Sequence, residues 1–413
     1  MGIDCSRIRD DVPELQNSNV VFLDNAASTL KPRQVIEAMS EFAYTTYANV
    51  HRGVYKLSME ASKIYEDAHE TVAKFIGGDM REVVFVKNTS EAIQLIALTL
   101  YWNGYIGEGD EIIITEAEHH SNMLPWVRIA RKAKAKVRLL PVDRRGIPRW
   151  EDINEYLSER TRVIATNHIS NVTGYISPLQ EIGKIAEEHD SFFVVDAAQS
   201  VPHLPVDFKK LKASFAAFSG HKMLGPTGIG VMWGRHDLLE DMEPPLGAGG
   251  TVKRVKLVDG LVSIDWEDSP WKYESGTPPI IEAVGLAKAV EYLSRIGMEN
   301  VYEYERSLTR DLLEAVSALD FIRIVGPNSS DLRHGIVSFN VEGLPPDVAG
   351  LSLSRQGIAV RTGLHCAHIL HDRLGFPDGS VRASLYIYNC REDITRLVEA
   401  LESIYAKHVR GLR

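Results

Sequence analysis

Short apolar runs rich in β-branched residues alternate, over the first two thirds of the chain, with longer stretches whose apolar positions recur every three or four residues. Val83–Val86, Glu111–Ile114, Val137–Leu140, Val163–Ala165, Phe192–Val195, Phe215–Phe218 and Gly228–Met232 read as buried strands. Between most of them lie amphipathic segments such as Ser90–Leu100, where Ala92, Ile93, Leu95, Ile96 and Leu100 share one side. Strands alternating with helices predict an α/β architecture, a mostly parallel sheet covered on both faces, with a core from about Val20 to Tyr273. Glu274-Ser275-Gly276-Thr277-Pro278-Pro279 is a turn-rich break. Behind it come a long helical region from Ile280 to about Leu319, strand-like runs at Gly335–Val341, Ile358–Arg361 and Ser380–Ala383, and a closing helix from about Arg391 to His408. The pattern predicts a large domain over residues 20–279 and a smaller α+β domain over 280–413 that takes in residues 1–19, with a ligand cleft between them.

Composition narrows the partners. The chain has 413 residues, room for two or three domains, and 46 Lys+Arg against 56 Asp+Glu give a net charge of −10. That balance argues against nucleic acid, whose phosphates need clustered cations; the densest basic run, Arg128–Arg138, reads as a solvated helix face. No run of some 18 apolar residues offers a membrane span, and Met1–Gln16 is charged throughout, so a cytoplasmic location is expected. The opening Met1-Gly2-Ile3-Asp4-Cys5-Ser6 fits the loose N-myristoylation pattern, which many cytosolic chains match by chance. Three cysteines cannot build a disulfide framework, which points to a reducing compartment, and Cys5 and Cys390 read as incidental.

Ligands of open α/β sheets gather at the carboxyl ends of the strands, so the residues just after each strand carry the chemistry. Phe192–Val195 is followed by Asp196, with Gln199 three residues on; taken alone, Asp196 is a helix cap. Phe215–Phe218 runs into Ser219-Gly220-His221-Lys222 and a Gly/Pro-rich turn, where burial would lower the lysine's pKa and make its amine a nucleophile. After Val83–Val86 come Asn88-Thr89-Ser90 and a helix; Thr89 or Ser90 is its expected cap, and its backbone N–H groups suit a phosphate, with Ser219 and His221 as further donors. A lysine to form an imine, an aspartate to pair with a ring nitrogen and a helix start for a phosphate are together what pyridoxal 5′-phosphate requires.

Leu23-Asp24-Asn25-Ala26-Ala27-Ser28, Val50-His51-Arg52-Gly53, Glu118-His119-His120-Ser121-Asn122, Ser170-Asn171-Val172, Val195-Asp196-Ala197-Ala198-Gln199 and Ser219-Gly220-His221-Lys222 resemble the class V aminotransferase family of pyridoxal-phosphate enzymes. Arg361-Thr362-Gly363-Leu364-His365-Cys366-Ala367 and Arg382-Ala383-Ser384-Leu385 are similar to the group II (SUF-type) cysteine desulfurases, and the matches run in order from about residue 20 to 390. The resemblance implies fold type I, the aspartate aminotransferase-like fold, and desulfuration of L-cysteine to L-alanine. It implies Lys222 as the cofactor lysine, Asp196 on the pyridine nitrogen, Gln199 on the ring hydroxyl and His119 stacked on the ring. Thr89, Ser90, Ser219 and His221 would hold the phosphate, with Thr277 reaching across a homodimer interface. Arg382 is the implied carboxylate clamp, with Asn171 on the same carboxylate or on the cofactor hydroxyl, and with His51 and Arg361 also near substrate. Cys366 would take the sulfur as a persulfide and pass it to an acceptor or scaffold protein of iron–sulfur assembly.

Relatives often carry His where this chain has Leu364, and Gln-Pro where it has His368-Ile369. A zinc site built on His365, Cys366, His368 and His371 lacks paired ligands on two arms, and no metal is expected. Two rival functions remain: a selenocysteine lyase or cysteine-sulfinate desulfinase of the same family, and a non-catalytic scaffold, against which Lys222, Asp196 and Cys366 stand.

Overall fold

The computed structural model describes residues 3–408 and 411, so the myristoylation reading at Met1-Gly2 lies outside the described residues. Seven strands form one sheet in the order Val83–Val86, Gly230–Gly234, Phe215–Ser219, Phe192–Asp196, Thr161–Asn167, Glu111–Thr115, Lys136–Leu140. Gly230–Gly234 runs antiparallel to both neighbours and the remaining adjacent pairs are parallel, which confirms the α/β reading.

The apolar runs are continuous because both faces are covered. Phe193 and Val195 enter one core with the helices Arg33–Thr45, Lys56–Phe75 and Ile280–Ile296, while Val194 enters the other with Thr89–Trp102 and His120–Ala133. The helical region beyond residue 279 is two helices, Ile280–Ile296 and Met298–Ser317, separated at Gly297, whose φ of +86° a side chain would resist. A second, antiparallel sheet has the order Ile322–Val325, Ile336–Val341, Ser380–Ser384, Arg361–Gly363. Near the amino end, Val21–Phe22 pairs with Ile358–Ala359, and Asp24 bridges Ser384. That pairing sets Asp24 beside the second sheet's arginines.

Two elements escape the pattern. The strand Ile322–Val325 is interrupted by exposed Arg323, and the hairpin Val252–Val258 with Leu261–Trp266 is exposed along nearly its whole length, so burial imposes no alternation on it. Among the described residues no helix is long and apolar enough to cross a membrane.

The cysteine reading requires correction. Cys5 and Cys390 are joined by a disulfide, their Cα atoms 5.9 Å apart across 385 residues of sequence, and Cys366 is the free thiol. Spacing cannot reveal a pair brought together by chain ends meeting in space, and the cysteine count no longer argues for a reducing compartment. Because so long a loop is closed, Cys390→Ser is expected to lower unfolding free energy by about 2–4 kcal/mol. Denaturant unfolding with and without reductant checks this; coincident wild-type curves would show that the bridge contributes nothing.

Candidate active site

The strands ending in Asp196 and Ser219 are parallel neighbours, with Asp196 opposite Ala217, and Lys222 follows on a single 3-10 turn, Gly220–Lys222. Both side chains therefore reach the same end of the sheet. On the far side of Ser219, Gly230 lies against the start of the helix Thr89–Trp102: a Cβ there would meet the Asn88 Cα at 2.7 Å. Only glycine lets that helix start sit on the sheet.

One cavity of about 550 Å³ is lined by Lys222, Asp196, Gln199, His119, Thr89, Ser90, Ser219, His221, Asn171, Arg361, Arg382 and Cys366. His51 and Thr277 are elsewhere, in a separate hollow of about 460 Å³ with Arg52, Gly250 and Trp271.

At the helix start the structure differs in detail from expectation. Asn88 is the cap, its Oδ1 accepting from Glu91 N–H at 3.0 Å. Thr89 is freed for another partner: its N–H donates to Ser219 Oγ at 2.8 Å, and the two hydroxyls are 2.6 Å apart. The hydroxyls of Ser90 and Ser121 pair at 2.6 Å. Four hydroxyls and a helix amino end thus face one corner of the cavity, a cradle for an anion.

Lys222 is half-buried, and burial pulls its amine down to about 8, with Asp196 opposing. Among the described residues its Nζ makes no hydrogen bond. Asp196 is buried and shifted upward by that burial, opposed by the Ala198 N–H at 3.0 Å and by Lys222. Gln199 donates its amide N–H to the Ala26 carbonyl at 2.7 Å, while its Oε1 is buried without a partner. Burial holds His119 down at about 3, with Lys222 adding to the effect, so the ring is neutral. Its Nδ1 accepts from Ser121 N–H at 3.0 Å, which leaves the hydrogen on Nε2.

On the opposite wall, Arg382 is buried and pulled down to about 10 by desolvation, with Asp24 opposing. Its Nη1 donates to the Asn171 carbonyl at 2.9 Å, Nη2 lies 3.6 Å from Asp24, and Nε is buried with no partner. Arg361 gives Asp24 a forked contact, Nη2 at 2.7 Å and Nε at 3.0 Å. Asp24 therefore holds one guanidinium aside and offsets the charge of the other. The Asn171 amide donates to the His365 carbonyl at 2.8 Å, bracing the loop that carries Cys366.

Cys366 is exposed, and His365 and Cys366 both adopt left-handed backbone, φ +47° and +56°, a conformation costing about 1–2 kcal/mol per non-glycine residue. Contacts on three sides impose it: His120 N–H to the Cys366 carbonyl at 2.8 Å, Ala367 N–H to the Leu364 carbonyl at 2.8 Å, and a His365 Nε2 contact with the Ser380 carbonyl at 3.1 Å. His371 Nε2 lies 3.1 Å from Ser380 Oγ, so these histidines face Ser380, not the thiol.

Residues 21–397 match the model of the aminotransferase class-V family. The chain belongs to that family. It is 58% identical over 403 residues to a probable cysteine desulfurase of Aeropyrum pernix, covering 97% of this chain and 98% of the relative. It is 44% identical to a cysteine desulfurase of Haloferax volcanii, covering 93% and 89%. The apo structure of a cysteine desulfurase from Thermococcus onnurineus NA1 superposes with a TM-score of 0.93 at 40% identity, over 100% of this chain and 99% of that one. Cysteine desulfurase CsdA from Escherichia coli gives 0.88 at 35% identity, over 97% and 98%.

Members of the family bind pyridoxal phosphate, and this cavity fits it. A depressed lysine amine, a buried carboxylate, the orphaned Gln199 Oε1 and the hydroxyl-lined helix start are the donor set that an aldehyde, a pyridine nitrogen, a ring hydroxyl and a phosphate need. Ser219→Ala removes from the cradle a hydroxyl that can donate to the phosphate. At about 1.5–3 kcal/mol for a hydrogen bond to a charged group, the dissociation constant for the cofactor should rise at least roughly ten-fold. Equilibrium dialysis reads this directly, and unchanged retention would remove Ser219 from the phosphate site.

The sequence reading assigned no role to Asp24, Glu118 or Ser121. Glu118 is buried and pushed up to about 7 by desolvation; Thr115 and Thr166 donate to its Oε1 and Asn122 to its Oε2, which fixes the turn before His119. An acid followed by His-His-Ser was the only signal for it.

Proposed function

We propose that the chain is a cysteine desulfurase: it takes sulfur from L-cysteine, releases L-alanine and holds the sulfur as a persulfide on Cys366. The observation that carries this reading is Cys366 itself, the one free thiol, on the wall of the cavity that contains Lys222. Bound pyridoxal phosphate supplies an aldehyde for the substrate amine and an electron-withdrawing ring. Arg382 receives the substrate carboxylate through its unpartnered Nε. Lys222 would move protons at the substrate Cα, Asp196 would hold the ring nitrogen of the bound cofactor protonated, and neutral His119 would supply a face for its ring.

The Cys366 thiolate attacks the substrate sulfur. A sulfur–sulfur bond forms, the Cβ–S bond breaks with its electron pair going to carbon, and Cβ takes a proton to become the methyl of alanine. Exposure of Cys366 suits onward transfer to an acceptor or scaffold protein of iron–sulfur assembly. His51 and Thr277, outside the Lys222 cavity of their own chain, support a homodimer in which they serve the partner's site. The reading keeps two domains and a cytoplasmic site of action, but the helix Ile280–Ile296, expected in the smaller domain at 280–413, goes with the large one, since Ile280, Ala283 and Leu286 share a core with Phe193 and Val195.

The test is to mix protein with L-cysteine without reductant and examine the Cys366 peptide by mass spectrometry. One added sulfur together with equimolar alanine is expected. Alanine formed with that peptide unmodified would turn the reading towards direct elimination, as in selenocysteine lyase or sulfinate desulfinase chemistry.

A further inference from the structure

Away from the cavity, three chain segments bring His203, Glu305 and His334 together in the interior, each under 5% exposed. His203 closes the turn that begins at Asp196 and Gln199, Glu305 lies on the helix Met298–Ser317, and His334 precedes the strand Ile336–Val341. Their ligating atoms all lie within 4.8 Å of one another. His203 Nδ1 is 2.7 Å and His334 Nε2 3.1 Å from the same atom, Glu305 Oε2.

We propose that His203, Glu305 and His334 bind one divalent transition-metal ion of the zinc type, which ties the turn below the cofactor cavity to the C-terminal helices and sheet.

Two imidazoles and one carboxylate are a donor set that zinc takes, at about 2.0–2.2 Å per ligand. Those lengths put tetrahedral ligands ~3.3 Å apart, so on binding the two contacts to Glu305 would open, by up to about 0.6 Å, and the two imidazole nitrogens, within 4.8 Å of each other, would settle at that spacing. The competing arrangement is metal-free, with both imidazoles donating N–H to the carboxylate. It satisfies Oε2 alone: Glu305 Oε1 is buried with no partner, a vacancy that a bidentate contact to an ion would fill.

The rings are already oriented. Tyr302 stacks on His334 with centroids 5.0 Å apart and planes 17° apart, and Tyr386 meets His203 edge-on at 5.0 Å. Thr309 Oγ1 donates to the Glu305 carbonyl at 2.7 Å and accepts from Gly335 N–H at 2.9 Å, which fixes the helix against the His334 segment. A hollow of about 690 Å³ is lined by Leu204 and Tyr302, the chain neighbour of His203 and the ring on His334.

The experiment loads the holoenzyme with Zn²⁺ or Co²⁺, dialyses it and counts ions by elemental analysis. One ion per chain is expected for wild type and for Cys366→Ala, and none for Glu305→Gln or His334→Gln. Co²⁺ should give visible d–d bands in the first two proteins and not in the last two. Wild-type protein that retains no ion overturns the proposal however the variants fold. So does a Co²⁺ spectrum that survives in folded Glu305→Gln, or an anomalous peak located at Cys366 instead of Glu305 in a Co²⁺-soaked crystal.

Discussion

Lys222→Ala is expected to lower L-cysteine turnover at least about a thousand-fold, within the range that a positioned proton-transfer group contributes. Among the described residues Lys222 is the only lysine on the cavity wall, and the arginines there stay charged at any working pH. Its amine is usable because burial has pulled it down to about 8. At pH 7 roughly one molecule in ten then carries a neutral amine, against about one in 2,500 for a lysine at its ordinary value near 10.4. The variant should fold, since it removes a desolvated charge and no hydrogen bond. Borohydride treatment followed by intact mass gives a second readout: wild type should gain the cofactor covalently, and Lys222→Ala should not, although the helix start still holds the phosphate. Covalent fixation in the variant would place the reactive amine elsewhere, and Lys31, which burial holds at about 7, would be the first residue to examine.

Cys366→Ser is expected to bind L-cysteine but to lose at least about a hundred-fold in alanine formation, with no sulfur added to the chain. Serine keeps the size of the side chain, yet its hydroxyl is barely ionised and has little affinity for sulfur. The disulfide strengthens this prediction, because Cys5 and Cys390 are tied to each other and no second thiol can take over. Binding should survive, since Arg382, Asp196 and Lys222 are untouched. Selenocysteine should suffer less, because selenium leaves carbon more readily without a nucleophile. Wild-type rates of alanine release from L-cysteine by Cys366→Ser would overturn the persulfide route while leaving the cofactor site intact, so the two predictions fail separately.

Several features were legible because local physics dictates them. Strands buried on both faces must read as unbroken apolar runs, and a mostly parallel sheet must present most strand ends on one edge. Asp196, Gln199, Ser219 and Lys222 could therefore be grouped from their positions after two such runs, and Thr89 from its place at a helix start. The long helix Thr89–Trp102 and the closing helix Arg391–His408 followed from apolar spacing in the same way.

Other features exist only once the chain has packed. Asp24 meets Arg361 across 337 positions of sequence because Val21–Phe22 adds itself beside Ile358–Ala359, a pairing no local pattern encodes. The Cys5–Cys390 bridge and the His203, Glu305 and His334 cluster arise in the same manner, from segments with no common spacing. The exposed hairpin went unseen because solvent on both faces removes the alternation that burial enforces. Periodicity along the chain thus fixed the layers and the edge where chemistry occurs. Which side chains meet at that edge was settled by long-range packing, since contact energy depends on distance in space and not on distance in sequence.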